Sequence, residues 1–516
     1  MKKHIGFFLV VFIIVGLLVT GCRRPYKSGK ADKVKKLFTQ AQALFQDGNT
    51  NAAINVLSKA LDNKVYKENR AQIFNGLMNM LLTADRADDA KTRYLEAISQ
   101  DEKLARAGFG IVYDYYIRRG DRSALIKWTK KLIESQLPER LTEQAFIWHM
   151  KACYANEQFD QALELVPVCV KKFSAASNRR IFGNLVESIF DNKKYSDAAR
   201  LLDAIAKEST NIPELQHLVD ISRIDLSILR KQWRDAEQKF MKVASGLTDG
   251  ELSDCLHRTA TKAIADEKFN IVDRLCNFVL KNQRDKEKTK QEAAIQWLTV
   301  AEKQKAANEI PRRLKSLSQF GFSPRFLSYL YKKHFYFVVN QDKKKNISKM
   351  INFGEELAPN LTDEKDQSQL KTMILDGTFI IGDYKQSLKI LKQGIPTRKK
   401  EWHEMAISKV KAHKALKEGN KKQAVRYFRE FMSYLSKSDE QKQQDPSTGI
   451  VHTKEMILGF NAKRIGDILN SIGDKDGSQK AYKEAREHYK NALKEIKPDS
   501  KQYKLLQAEM AEVPVE

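Results

Sequence analysis

Residues 31–61, ADKVKKLFTQAQALFQDGNTNAAINVLSKAL, decide the fold. Val34, Leu37, Phe38, Ala41, Leu44 and Phe45 recur at helical spacing, Asp47-Gly48-Asn49 breaks the run, and Ile54, Val56, Leu57, Ala60 and Leu61 resume it. The stretch therefore reads as a helix A from Ala31 to Gln46, a turn, and a helix B from Thr50 to Leu61. The hairpin then returns along the chain. Ala53, Ala90, Ala124, Ala162, Ala198 and Ala236 each open a second helix, at gaps of 37, 34, 38, 36 and 38 residues. One such pair cannot bury its own apolar stripe, so the repeats must stack on their sequence neighbours.

At 516 residues the chain is too long for a single core, and the repeats favour an extended array. Eleven prolines, 23 glycines and 42% apolar residues suit an almost wholly helical protein, with no convincing strand pairing. The formal net charge of +26 fits anionic lipid headgroups, acidic polysaccharide or an acidic protein as partners. Acids are interspersed among the bases, and no long single-sign block marks a dedicated patch.

Residues 1–22 read as an address. Lys2 and Lys3 precede an apolar run from Ile5 to Val19, then Val19-Thr20-Gly21-Cys22. The run is short for a spanning helix, which needs roughly 20 residues. The segment resembles a bacterial lipoprotein signal peptide, and that resemblance implies lipidation of Cys22. Arg23 in place of Asp after the cysteine then points to the outer rather than the inner membrane. Residues 23–32 form a basic, polar tether. Cys153 with Cys169, and Cys255 with Cys276, each straddle one hairpin; disulfide staples and buried thiols are both open.

The small, bulky, small spacing in helix B (Ala53, Leu57, Ala60; Ala90, Tyr94, Ala97; Ala198, Leu202, Ile205; Ala236, Phe240, Val243) resembles the tetratricopeptide repeat. Degenerate copies follow at Val272 with Cys276, Ser387 with Leu391, and Ala424 with Phe428 and Phe431. The resemblance spans about residues 31–495. It implies an all-α, right-handed α-solenoid of about ten to eleven hairpins, with helices A lining the concave side. Within helix A the usual small residue is present as Ala41 and Ala412, but Met78, Val112 and Val186 replace it elsewhere. Residues 33–310 read as the N-terminal array and 311–436 as a degenerate one, in which Ile310-Pro311 and Ser323-Pro324 interrupt helices. Residues 437–453 read as a polar loop, and 454–516 as a last repeat with a capping helix.

Laying that unit over the chain puts Arg106, Phe109, Tyr113, Tyr116, Lys151, Tyr154, Arg180, Glu187 and Phe190 in a protein-binding groove. Aromatic anchors beside basic side chains suit protein or glycan recognition. Asn75 and Asn79 resemble part of a carboxylate clamp, but Leu82 stands where another polar group is needed, so no clamp is expected.

No phosphate-binding loop, metal-binding HExxH helix, nucleophile elbow or CxxC pair occurs. The nine histidines have neither i,i+4 partners among themselves nor an obvious cysteine partner. No catalytic residues, metal or cofactor are expected, and no segment is left over for a catalytic domain. The expectation is a non-enzymatic, lipid-anchored scaffold of the cell envelope that binds envelope proteins, with no nucleic-acid partner. The alternative is a glycan-capturing outer-membrane lipoprotein resembling starch-utilisation proteins; only 5 Trp and little room for loops weigh against it.

Overall fold

The computed structural model describes residues 28–100, 102–135, 137–341, 344–438, 442–444, 451–498 and 500–514. Residues 1–27, and with them Cys22, lie outside the described residues. The chain divides into two compact units, one up to Arg230 and the other from Lys231.

The first unit is a run of helix pairs. Ser28–Gln46 precedes Thr50–Asp62, Arg70–Thr83 precedes Ala87–Gln100, and Glu102–Arg119 precedes Arg122–Glu134. Glu139–Ala155 then leads to a broken second helix, Phe159–Glu164 and Val166–Lys172, and Ala175–Asp191 leads to Tyr195–Glu208. Pro213–Leu229 ends the unit. The break follows from Pro167, which lacks the N–H a helix interior needs and sits at the start of the second piece. Helices pack on their sequence neighbours, and each helix A also packs on the next, as Arg70–Thr83 does on Glu102–Arg119 and Glu139–Ala155 on Ala175–Asp191.

The second unit opens with Trp233–Val243 and continues the pattern. Its pairs are Asp249–Ala265 with Phe269–Asn282, Glu287–Lys303 with Glu309–Leu317, Pro324–Asn340 with Lys344–Leu357, Glu364–Ile380 with Tyr384–Gln393, Lys400–Lys417 with Lys421–Lys437, and Lys454–Ser471 with Lys475–Glu495. Lys501–Ala511 closes it. Thus five complete hairpins lie in the first unit and six in the second, and one further helix pair is divided at the boundary. Both units are all-α stacks of the solenoid type.

The spacing that marked helix B is where the cores close. Ala53, Leu57, Ala90, Tyr94, Ala198, Leu202, Ile205, Ala236 and Phe240 are fully buried, as are Val272, Cys276, Ser387, Ala424 and Phe428. The small positions let neighbouring backbones approach and the bulky ones fill the space between. In the second helix A the close approach is made by Gly76, two residues before the buried Met78. A Cβ built on Gly76 would sit 2.3 Å from Cε1 of Phe38 on the preceding helix A.

A left-handed residue marks the turn inside nearly every hairpin. Gly48, Asp85, Gly120, Glu157 and Lys193 do so in the first unit, and Glu267, Lys305, Gly382, Gly419 and Gly473 in the second. Each reverses the chain after helix A by exposing its last carbonyls to amides of the turn, as Asn49 N–H to Leu44 O and Gln158 N–H to Cys153 O show.

Two expectations change, and one left open is decided. Pro311 and Pro324 do not interrupt helices; they stand in the first turns of Glu309–Leu317 and Pro324–Asn340, where no intrahelical N–H bond is lost. The stretch read as a loop holds a short antiparallel ribbon, Lys442–Gln444 with Val451–Thr453, pairing Gln443 with His452. All four cysteines from Cys153 to Cys276 are buried free thiols rather than staples. No described helix is long and apolar enough to cross a membrane.

Candidate functional site

Three consecutive helices A of the first unit converge on one cleft of about 500 Å³, lined by Gly110, Arg140, Leu141, Glu143, Gln144, Trp148 and Arg180. Gly110 comes from Glu102–Arg119, the next five from Glu139–Ala155, and Arg180 from Ala175–Asp191. Arg140, Gln144 and Trp148 recur at i, i+4 and i+8, so one helical face supplies a guanidinium, an amide and an indole in a row. Leu141 and Ala145 are buried beneath them.

The wall is held by aromatic and ionic contacts between repeats. Trp148 meets Tyr113 edge-on at 4.2 Å between ring centres. Arg180 grips Glu143 through two parallel bonds, Nε to Oε1 at 2.6 Å and Nη2 to Oε2 at 2.7 Å, and Nη2 also donates to Ser177 Oγ at 3.1 Å. Such a planar fork fixes direction as well as distance. Arg140 is exposed and forms no hydrogen bond or ion pair among the described residues; it feels Glu143 only through space.

The Arg180 fork holds Glu143 below the ordinary glutamate range against the opposing effect of burial. A carboxylate with a depressed folded-state pKa stabilises above its unfolded pKa, and that contribution is lost as pH falls through the folded value. Stability should therefore be flat above about pH 5 and fall below the unperturbed value of 4.5. Because Arg180 keeps 58% side-chain exposure, solvent screens the pair, and Glu143→Gln should cost about 1 kcal/mol at neutral pH. Thermal unfolding of both proteins across pH 3–7 checks this; a gap that stays constant down to the acid end would contradict it.

The expected groove residues divide. Arg180 lines the cleft, and Tyr113 backs it through Trp148. Lys151 continues the row and donates to Asn184 Oδ1 at 3.3 Å, with Glu187 exposed on the same neighbouring helix. Tyr116 and Tyr154 belong instead to the core, 4% and 9% exposed. Tyr116 lies under Lys91 Nζ, and Tyr154 meets Phe159 edge-on at 5.7 Å. Phe190 is half-buried against the core of the first unit. The side chains of Arg106 and Phe109 lie outside the described residues. Arg140, Glu143, Gln144 and Trp148 were missed. One signal pointed to one of them: Glu143 stands 37 residues, one repeat length, before Arg180.

A cysteine–histidine contact also escaped the sequence reading. His149 Nε2 lies 3.8 Å from Cys153 Sγ, and its Nδ1 lies 2.8 Å from Thr129 Oγ1. Burial pushes the thiol up to about 11 and the imidazole down to about 4, so both are neutral at pH 7. That opposes the thiolate–imidazolium state a nucleophile requires. The trio is a satisfied core network. No group of three or more His, Cys, Asp or Glu among the described residues is arranged to hold a metal ion.

The small and bulky positions of helix B, the A-to-A packing and the repeat length are all in place. The chain is an array of tetratricopeptide-like hairpins. No family model matches it, and no curated protein does either. Among solved structures it is similar to Naa15/Naa10 bound to HypK-THB, at 12% identity over 93% of this chain and 75% of that chain, with a TM-score of 0.25. It is also similar to the APC/C hetero-tetramer Cut9-Hcn1, at 11% identity over 94% of this chain and 97% of that chain, with a TM-score of 0.22. Both scores are low, and the fold assignment rests on the helix pairs themselves.

Proposed function

We propose that this protein is a non-catalytic scaffold of the cell envelope, anchored by lipid at Cys22, that binds a protein partner through the helix-A face of its first unit. The observation that supports this most is the cleft: three successive repeats contribute to one concavity in which Trp148 offers a broad apolar ring and Arg140 an uncommitted charge. A rigid aromatic beside a free guanidinium is the side-chain pairing that most often anchors protein interfaces. Preformed helices hold both in place before the partner arrives, which lowers the ordering cost of capture.

The test is site-specific photo-crosslinking from position 144 in native membranes, comparing the unmodified cleft with the double change Arg140→Ala and Trp148→Ala. A discrete protein adduct should form and should weaken about 30-fold or more in the variant, the loss of a hot-spot anchor worth about 2 kcal/mol. An adduct that persists unchanged, or one carrying only polysaccharide, would overturn the reading. The anchor is tested separately: globomycin should cause an unprocessed precursor to accumulate, and labelled palmitate fed to cells should enter the unchanged protein but not Cys22→Ser.

A further inference from the structure

One of the most basic stretches of the second unit runs through two adjacent hairpins. From Tyr384 to Arg429 there are fourteen Lys and Arg against three Glu and no Asp. The helix Tyr384–Gln393 buries Ser387, Ile390 and Leu391, and turns Lys385, Lys389 and Lys392, at i, i+4 and i+7, to solvent. In the next hairpin Lys421–Lys437 buries Ala424, Phe428 and Phe431 while Lys422 and Arg426 are exposed. The connection after the first of these helices carries exposed Arg398, Lys399 and Lys400, set off by Thr397 at φ +65°.

An ordinary solvated helix face neutralises its cations locally, as Lys91 with Asp88 and Arg93 with Glu96 do in the first unit. Of the acids in this stretch and at its edge, Glu404 is engaged by Lys400, Glu418 by Lys414 and Glu430 by Arg426, which leaves exposed Glu401 alone against the remaining cations. The side chains of Lys385, Lys389, Lys392, Lys399 and Lys422 form no ion pair or hydrogen bond among the described residues. Half-buried amphipathic rings lie among the charges. Arg398 stacks over Trp402 at 4.8 Å, and Lys411 and Arg426 both lie over Tyr427, at 5.4 and 5.5 Å.

We infer that the exposed basic surface of this Tyr384–Arg429 stretch docks on an anionic phospholipid surface. The exposed groups are mainly lysine ammoniums, point charges spread over helix faces, and not arginine forks gathered round a pocket. A diffuse negative plane satisfies such an array without demanding any fixed geometry. Trp and Tyr with one apolar and one polar edge suit the level of the headgroups. The inference goes beyond the protein-binding cleft, which belongs to the first unit. It is also independent of the lipid at Cys22, although the two contacts together would give the paired attachment that holds a protein on a bilayer more firmly than one signal does.

The experiment uses the protein from Arg23 onward, which keeps every described residue and lacks the leader and the lipid. It is sedimented with phosphatidylcholine vesicles, with and without phosphatidylglycerol, at low salt and at about 1 M, where the screening length falls to roughly 3 Å. Binding should require phosphatidylglycerol and vanish at high salt. Changing Lys385, Lys389 and Lys392 together to Glu should lower partitioning roughly 100-fold, at about fivefold per lysine. The same change at exposed Lys35, Lys36 and Lys131 of the first unit should leave most of the binding intact. Circular dichroism checks folding, and a Lys→Gln triple at the same three sites gives the reading if the Glu triple unfolds. The inference fails if the changes at Lys35, Lys36 and Lys131 lower binding as much as those at Lys385, Lys389 and Lys392, if phosphatidylcholine alone suffices, or if a soluble polyuronate is bound and vesicles are not.

Discussion

Truncating Phe428 to alanine is expected to destabilise the second unit by about 3–5 kcal/mol, the largest effect of any single change considered. Phe428 is fully buried at the bulky position of its helix B, with Ala424 before it and Phe431 after it. Its ring is met edge-on by His413 at 5.3 Å, and Arg464 from the following hairpin lies over it at 5.7 Å. One side chain thus touches its own hairpin and the next. Close-packed helices relax only partly into the void, so the cavity cost adds to the lost transfer energy. In a stacked array each repeat leans on its neighbours alone, so hydrogen exchange should speed up first in the hairpins around residues 400–471. Denaturant unfolding measures the total. A loss below 1 kcal/mol would mean that these hairpins do not nest as described.

Lys286→Met should cost about 2–4 kcal/mol. The lysine is 8% exposed, and its ammonium donates to Ala244 O at 2.5 Å, Leu247 O at 2.7 Å and Ser245 O at 3.3 Å. These carbonyls belong to the C-cap of the helix Trp233–Val243 and the turn just beyond it, where the helix itself supplies no donors. Alongside, Asp249 accepts from Lys288 N–H, Thr289 N–H and the Thr289 hydroxyl at 2.9, 2.8 and 2.6 Å. Two loops one repeat apart are therefore latched in both directions. Burial by itself would raise the Asp249 pKa, but these bonds outweigh it and leave it below the usual aspartate value. Methionine keeps the packing and relieves the burial of a charge, which favours the variant. Three carbonyls then lack a donor, which opposes it and should win. A midpoint in urea that does not move would show that water reaches those carbonyls freely.

Much of this architecture was legible because the repeat is a local rule. The first hairpin, read as Ala31–Gln46 and Thr50–Leu61, is observed as Ser28–Gln46 and Thr50–Asp62. Degenerate copies such as Ser387 with Leu391 still close on buried residues, Ser387 through a hydroxyl contact to Thr378 Oγ1 at 2.8 Å. Proline deceived at 311 and 324, because the same residue that breaks a helix interior also opens a helix, and composition does not separate the two positions. The ribbon at 442–453 escaped because its residues are polar and its pairing spans a connection rather than a pattern.

The cleft was less legible, for a different reason. Its lining comes from three repeats, so the residues that meet there stand as far apart as Gly110 and Arg180. The resembled repeat unit points to one face of each helix A, and from that face Arg180 lines the cleft with Tyr113 behind Trp148. It does not say how far a neighbouring side chain leans over. Tyr116, three residues beyond Tyr113 on the same helix, turned inward under Lys91 for that reason.

The left-handed turns carry one more consequence. From Gly48 through Asp85, Gly120 and Glu157 to Lys193, each such residue occupies the same phase of the backbone, whatever its side chain. Excising the chain from one of them to the next and rejoining the ends deletes a helix B and the following helix A, and leaves every later hairpin in register. The molecule is thus built for lengthening and shortening by whole modules, a route by which duplication can change its reach without redesigning a single interface.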